Sequence, residues 1–487
     1  ESWPSAQPAV SLACWRGLSF VFAGIFLVVI AAYIPAVDFG RYSLVMTVVL
    51  VAGGGILSLG NHALLRFGRE RYATAERIGE EVALRLTLFS ITCVVVAGIV
   101  LSIFPWLAPY LDVPSSAFGW ILLGLLIIPL GEMATFAAQA TERFAGYGPA
   151  PALARGLQLA ALGVIVVLEL ISWHWILICM LLGYAASGIW TWTRLPDGAL
   201  RGFLINGSAL WRFTRFGLLI PVASLSIAVM GSVDLWFLRA YQSADDTGTY
   251  AWVYAVAMMG TALLAPLGAL LANRYLDMVR KEEHENMDTM LVTTHAIVLL
   301  SIGLCVVASG FFLIGLSGSA IYLGQYASAI GPGAILIAGI AFQLGTNMWE
   351  SIAFGQESRV WKASLILLCM AIVNGLMDWL FIPEMGALGA AISTATAFLA
   401  GAVGLYVLVQ LNSPRREWWP PFQLALFGGL SILIVGNCAT MAPVTGGTFA
   451  FSAGLVLIGA SWVLIGPRAR RSFVSALLTI RSKLGTT

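Results

Sequence analysis

Four acidic residues interrupt long apolar stretches of the sequence and are the first candidates for chemistry: Glu132, Asp234, Glu350 and Asp378. A carboxylate in such a stretch usually faces a cavity or a partner, because a central Asp costs about 2.5–3.5 kcal/mol on membrane-insertion scales. Glu132 and Glu350 could each bind a proton or a sodium ion, or form a structural ion pair with a neighbouring arginine. Asp234 and Asp378 lie nearer the ends of their stretches, where contact with water favours a structural role.

The elements that must position these side chains are membrane-spanning helices. Only 10% of the 487 residues are charged, 59% are hydrophobic, and the mean hydropathy is +0.90. Soluble domains average about 25% charged residues, which excludes a soluble enzyme, a nucleic-acid-binding module and a disordered scaffold. The apolar stretches run for about twenty residues without the alternation of barrel strands. The sequence therefore predicts an all-α polytopic membrane protein with about 14 transmembrane helices, one of them over 249–272.

The basic residues give the orientation of the chain, because Lys and Arg are retained on the cytoplasmic side of a membrane. With the N-terminus inside, every Lys and Arg except Arg41 and Arg239 falls in a cytoplasmic segment or at an inner helix end. This sorting predicts that both termini are cytoplasmic. It also places Arg77 inside and Asp112 outside.

Three inner arginines are candidates for binding an anion, because the planar guanidinium forms paired hydrogen bonds with such groups. They are Arg16, Arg66 and Arg274, at the inner ends of predicted helices. His62 lies one turn before Arg66 and could join it. The alternatives are topology anchors for the arginines and a packed residue for His62.

Arg41 and Arg239 are unusual because they lie near outer helix ends, against the charge rule. Each could bind an anionic group on the outer side of the membrane. Each also has an acid nearby in the sequence, Asp38 and Asp234 respectively. Local ion pairing is the favoured interpretation.

Internal repetition predicts two lobes of six helices each. The short matches are Gly40-Arg41-Tyr42 with Gly248-Thr249-Tyr250, Arg66 with Arg274, and Glu132-Met-Ala-Thr-Phe136 with Glu350-Ser-Ile-Ala-Phe354. The predicted organisation is a short polar N-terminal segment over 1–14, an N-lobe over 15–193, a cytoplasmic linker over 194–212, a C-lobe over 213–411, an appended pair of helices over 422–466 and a basic cytoplasmic tail over 467–487.

The glycine run Gly53-Gly-Gly55 with Gly60 lies within an apolar stretch and lacks the following Lys-Ser/Thr of a phosphate-binding loop. Small residues that let helices approach closely explain it better. No metal-ligand cluster, nucleophile elbow or nucleotide fingerprint occurs in the sequence. We therefore predict no enzymatic activity and no metal site.

Two segments resemble a known family. Residues 32–71 (AYIPAVDFGRYSLVMTVVLVAGGGILSLGNHALLRFGRER) resemble the opening of Wzx-type polysaccharide flippases, in which an acidic-Phe-Gly-x-Tyr turn joins the first two helices. Residues 374–391 (NGLMDWLFIPEMGALGAA) are similar to the corner between helices 11 and 12 of that family, with Asp378 standing where Asn is expected. The family belongs to the multidrug, oligosaccharidyl-lipid and polysaccharide exporter superfamily.

The resemblance implies a transporter that moves an undecaprenyl-pyrophosphate-linked oligosaccharide from the inner to the outer leaflet of the bacterial inner membrane by alternating access. Such a protein would serve exopolysaccharide, capsule or O-antigen biosynthesis. The residues expected to bind substrate are Arg16, His62, Arg66, Arg239, Arg274 and Asn374, and those expected to couple an ion are Glu132, Glu350, Asp234 and Asp378. The expected energy source is a proton or sodium gradient with no cofactor, and the expected partners are membrane lipids and the polysaccharide polymerase and export machinery, with no nucleic acid.

Three other functions compete with this one. A drug or cation antiporter of the same superfamily usually has twelve spans and favours an amphipathic cation. A membrane glycosyltransferase or polymerase needs catalytic residues on a substantial external loop, and the external connections here are short. A structural membrane subunit explains the repeat poorly.

Overall fold

The computed structural model describes residues 6–203, 205, 207–217, 220–280, 283–317, 324–354, 357–411, 419–465 and 470. These residues form helices and their connections, with no strand among them, which confirms the all-α prediction. The helices before residue 200 are α1 (Ala6–Tyr33), α2 (Ala36–Leu50), α3 (Asn61–Ala75), α4 (Gly79–Leu111), α5 (Ala117–Ala140), α6 (Phe144–Tyr147), α7 (Ala150–Val167) and α8 (Trp173–Thr193). The later helices are α9 (Gly207–Gly217), α10 (Ile220–Tyr241), α11 (Ala244–Arg280), α12 (His284–Ser317), α13 (Ile330–Phe354), α14 (Glu357–Met385), α15 (Ala387–Gln410), α16 (Trp419–Ala439) and α17 (Pro443–Leu464).

Within the described part of the chain, 13 helices are long and apolar enough to cross a membrane. They correspond one for one to predicted spans, and the chain is a multi-pass membrane protein. The remaining predicted span, 249–272, lies within α11, where side chains 262–277 are outside the described residues.

The chain divides into two compact units, residues 1–251 and 252–487. In the first unit α5 packs against α8 and α3, while α7 packs against α8 and α1. In the second unit α12 packs against α17 and α13, and α15 packs against α13 and α14. The lobe boundaries of the sequence analysis stay a prediction.

α1 and α9 overlap two of the predicted boundaries. Residues 6–14 of the segment predicted over 1–14 are helical and belong to α1 (Ala6–Tyr33). The sequence predicts a span over 213–236, and the first residues of that range lie in α9 (Gly207–Gly217), which is amphipathic. The candidate membrane span in this region is Val222–Tyr241.

The connection between α2 and α3 is irregular and shapes the candidate site. α2 continues into a π-helical turn over Val51–Ile56, and Gly60 has a φ of 92° just before α3 begins. A Cβ atom on Gly55 would lie 2.8 Å from Leu225 Cδ1 of α10, which confirms that this glycine allows close helix approach. The break leaves the Leu57 carbonyl available to a side chain.

Candidate functional site

Arg85 of α4 is the most deeply buried charged residue of the first unit, with no exposed surface. Its guanidinium Nε donates to Asn61 Oδ1 over 2.7 Å, and Nη2 donates to the Leu57 carbonyl over 2.5 Å. The third nitrogen, Nη1, is buried without a hydrogen-bond partner. Arg85 therefore joins α4 to both ends of the irregular connection before α3.

The position of Arg85 on α4 fits its burial. Val82 and Leu88, three residues before and after it, belong to one apolar cluster formed by α3, α4, α5 and α9. Other members of this cluster include Leu64, Met133 and Phe213. Residues three apart lie on the same side of a helix, so Arg85 shares the buried face of α4.

Asn61 connects Arg85 to Glu132. The amide nitrogen of Asn61 donates to Glu132 Oε2 over 3.3 Å, while its carbonyl oxygen accepts from Arg85. Arg85 and Glu132 also interact electrostatically. Glu132 itself is half-buried on α5. The structure therefore assembles a cation, an amide and an acid from three helices.

His62 lies next to this group. Its ring contacts Phe136, one turn after Glu132 on α5, edge to face at 5.2 Å between centroids. Burial lowers the pKa of His62 from its usual 6.5, so the ring is neutral at pH 7. A neutral imidazole can accept a hydrogen bond but adds no charge to the site.

The other inner arginines that the sequence predicts as anion ligands have different surroundings where they are described. Arg66 is exposed on α3, with Nε 3.6 Å from Glu70 Oε1 and its guanidinium 5.7 Å from the centroid of the Phe67 ring. Arg16 is half-buried in α1, and its Nε has no hydrogen-bond partner. The side chain of Arg274 lies outside the described residues.

The two outer arginines have different partners. Arg41 binds Asp112 over 2.6 Å and lies 3.8 Å from Asp38, so its expected local pair is present together with a closer one. Arg239 Nε donates to the Tyr110 carbonyl over 3.2 Å. Asp234, its expected partner, accepts a hydrogen bond from Tyr250 of α11, and the pairing with Arg239 stays a prediction.

Asp234 is buried in α10 with 2% of its surface exposed. It accepts a hydrogen bond from the Tyr250 hydroxyl of α11 over 2.5 Å. The expectation that water wets this acid is therefore wrong. Its hydrogen bond joins α10 to the repeated sequence Gly248-Thr249-Tyr250, which lies within α11.

In the second unit, Asn374 and Asp378 lie one turn apart on α14, and the Asn374 amide donates to Asp378 Oδ2 over 3.2 Å. Neither side chain has exposed surface, so the expectation that water wets Asp378 is also wrong. Glu350 is half-buried on α13. Among the described residues, no group of three or more His, Cys, Asp and Glu side chains could hold a metal ion.

The sequence analysis missed two groups of buried polar residues. It counted Arg85 among the cytoplasmic charges and gave Asn61 no role. It also gave no role to His295, which lies 3.2 Å from Gln423 Oε1 and stacks on Tyr406 at 5.2 Å. The available signal was the placement of each polar residue among apolar neighbours.

Solved structures with a similar fold are membrane transporters. The lipid II flippase MurJ in an inward closed conformation matches with a TM-score of 0.62 and 11% identity, over 94% of this chain and 99% of that chain. A multidrug resistance MATE family transporter of the MOP superfamily, in an inward-facing conformation, matches with a TM-score of 0.63 and 12% identity, over 86% and 99%. An outward-facing MATE transporter of that superfamily matches with a TM-score of 0.58 and 13% identity, over 87% and 96%.

No protein-family model matches the sequence, and no curated protein matches it either. The chain therefore shares the fold of the MOP-superfamily transporters at low sequence identity. What those proteins carry bears on this chain only as support for a proposal.

Proposed function

We propose that this protein is a flippase for an undecaprenyl-pyrophosphate-linked oligosaccharide in the bacterial inner membrane, with both termini cytoplasmic. The observation that carries the proposal is the extent of its structural similarity. The match to the lipid II flippase MurJ covers 94% of the chain, whereas the matches to MATE transporters reported above cover 86–87%. A fold that resembles a lipid flippase over nearly its whole length favours a lipid-linked substrate.

The chemistry of such a substrate explains the residues that we assign to it. Its isoprenoid tail is stable in the bilayer, but its hydrated anionic head cannot cross hydrocarbon unaided. Arg16, Arg66, Arg274 and His62 would receive the head on the inner side, and Arg239 would receive it on the outer side. Asn374 would donate to sugar or phosphate oxygens.

A gradient of protons or sodium ions would drive the cycle. Glu132 is the first candidate to take up a proton, because it is an acid on a membrane helix with partners that hold it in place. Asp378, which accepts a hydrogen bond from Asn374, Glu350 and Asp234 are further acids proposed to couple an ion. The polymerase and export machinery for the polysaccharide are the proposed partners.

A drug or cation antiporter is the second candidate, supported by the similarity to MATE transporters. Equilibrium binding to the purified protein separates the two. We expect undecaprenyl-pyrophosphate-linked oligosaccharides to bind and a panel of amphipathic cations not to bind, with the sugar composition varied to find the preferred head. Binding of the cations alone would replace the proposed function by the second candidate.

A further inference from the structure

Arg85 carries a donor that the folded chain leaves unused. Its Nη1 is buried and has no hydrogen-bond partner, while Nε and Nη2 are both occupied. Buried guanidinium groups normally satisfy their donors, and Arg suits phosphate because two of its donors fit two oxygens at once. The free Nη1 marks a place where an anion could bind.

We propose that Arg85 is an anion-binding residue that becomes available when Glu132 takes up a proton, so that a proton and a phosphate-type anion bind this cluster together. The inference rests on the proposed titration of Glu132, and it is independent of which lipid the protein carries. It adds a site within the first unit to the arginines assigned in the proposed function.

The balance of charge gives the physical reason for the coupling. Arg85 has no exposed surface, and the Glu132 carboxylate is the charge that interacts with it, through Asn61. Protonation of Glu132 removes that negative charge and leaves a buried cation uncompensated, which is strongly unfavourable. An incoming anion restores the balance, so each binding event strengthens the other.

Asn61 provides the second donor for the anion. In the present arrangement its amide nitrogen donates to the Glu132 carboxylate. A neutral carboxylic acid is a weaker acceptor than a carboxylate, so protonation makes this N–H available. Asn61 and Arg85 Nη1 would then offer two donors from neighbouring side chains.

The irregular connection before α3 is the segment that would shift when the anion binds. Arg85 is bonded to Leu57 and Asn61, which lie between the π-helical turn Val51–Ile56 and the start of α3. Gly60 lies in the same segment with a φ of 92°. A shift of this segment would carry both hydrogen-bond partners of Arg85 with it.

The side chains around Glu132 come from several helices. Arg85 of α4 and Asn61 of α3 are the side chains that interact with Glu132, whereas His62 of α3 lies against Phe136. The π-helical turn contributes no titratable group. The remaining charged or titratable residues on the elements packed against α5 are Asp38, Arg41 and Tyr42 of α2, Arg66, Arg69, Glu70, Arg71 and Tyr72 of α3, Glu80, Glu81, Cys93 and Tyr110 of α4, Tyr147 of α6, and His174, Cys179 and Tyr184 of α8.

Binding of farnesyl pyrophosphate to the purified full-length protein tests the inference. Titration calorimetry at about pH 6 and about pH 8 should show tighter binding at the lower pH, by about fivefold or more. Glu132→Gln should bind at the higher pH as tightly as the unchanged protein does at the lower pH. Glu142→Gln, which removes an exposed acid paired with Arg69 over 2.7 Å, should keep the pH dependence.

A double variant separates binding from folding. Arg85→Gln with Glu132→Gln removes both charges together, so no charge is left uncompensated, and it should lose the tight binding of Glu132→Gln. Binding equal to that of Glu132→Gln alone would overturn the inference, as would a Glu132→Gln protein that keeps the pH dependence.

Two further ligands show which part of farnesyl pyrophosphate the protein binds. Inorganic pyrophosphate with the same pH dependence would support a free anion as ligand, and the dependence with farnesyl pyrophosphate alone would support a lipid headgroup. The same dependence with farnesol, which has no phosphate, would overturn the inference. A protein that shows the predicted linkage but binds no lipid-linked oligosaccharide would lose the proposed function and keep this site.

Discussion

Gly40 of α2 and Gly248 of α11 lie against each other with no space for a side chain between them. A Cβ atom on Gly248 would overlap the carbonyl oxygen of Ala36, and one on Gly40 would lie 3.0 Å from the Gly248 nitrogen. These are the two glycines that the internal repeat equates. Two short sequences that resemble each other therefore meet within the first unit.

Gly248→Ala should disrupt this contact, because the added methyl group meets backbone, which cannot move aside as a side chain can. We expect a loss of protein abundance or thermal stability, measured by fluorescence-detected chromatography after heating. Gly98→Ala is the matched control, since a Cβ there has nothing within 4 Å and alanine favours a helix over glycine. Equal stability of the two variants would contradict the close approach.

Substitutions at Arg85 and Glu132 should have strongly non-additive effects on the free energy of unfolding, because Asn61 links the two side chains. Arg85→Met alone leaves the Glu132 carboxylate without its cation and should destabilise the protein by about 3–5 kcal/mol. Adding Glu132→Gln should restore much of this loss, because the uncompensated charge is then gone. Thermal unfolding of the single and double variants measures the effect, and additive losses would show that the two residues are not coupled.

His62 should make the stability of the protein depend on pH in the mildly acidic range. Burial lowers the pKa of His62 in the folded protein, so below its usual value of 6.5 the unfolded chain binds a proton that the folded chain does not. Stability should therefore fall as the pH drops below 6.5 and stay constant above it. His62→Phe should reduce this fall in melting curves recorded from about pH 5 to about pH 8, whereas an unchanged slope would contradict burial of a neutral ring.

The predicted topology can be tested across a single helix. Arg77 and Asp112 are both exposed and lie just before and just after α4 (Gly79–Leu111), so a membrane-spanning α4 places them on opposite sides. Single cysteines at these positions, in a protein lacking its six free cysteines, should react differently with an impermeant thiol reagent. We expect outside labelling at 112 and inside protection at 77, and the reverse would overturn the charge-based orientation.

Arg66 and Arg274 should matter for transport through their charge. Arg→Lys at either position should keep part of the polymer export, because the charge remains while the planar fork is lost. The double Arg→Gln variant should lose export at normal protein abundance. Arg69→Gln is the control, since Arg69 lies on the same helix as Arg66 but binds Glu142 over 2.7 Å, and near-normal export from the double variant would leave both residues as topology anchors.

The positions of the membrane-spanning helices could be predicted from the sequence because few backbone structures are stable in lipid. A continuous apolar stretch in lipid must form a helix that satisfies its own backbone. The sequence predicts such a span over 387–411, and the helix Ala387–Gln410 nearly coincides with it. The π-helical turn over Val51–Ile56 was not accessible, because glycine-rich sequence fits a regular helix at a close contact equally well. Its position depends on what packs beside it.

Only part of the candidate site could be predicted from the sequence, because the burial of a side chain depends on what packs beside it. Glu132 was found because a lone acid in an apolar stretch is costly and therefore conspicuous. Arg85 was missed because an arginine at a helix end satisfies the charge rule whether it is exposed or buried. Whether such an arginine is exposed or buried depends on tertiary packing, and here its neighbours on α4 belong to the apolar cluster of α3, α4, α5 and α9.

Transport into proteoliposomes tests the central claim most directly. A fluorescent undecaprenyl-pyrophosphate-linked oligosaccharide is placed in one leaflet, and its appearance in the other leaflet is followed by an impermeant quencher, with and without an imposed pH gradient. We predict protein-dependent flipping that the gradient accelerates, and in Glu132→Gln flipping that no longer responds to the gradient. No flipping above that of protein-free vesicles, with transport of an amphipathic cation instead, would contradict the account.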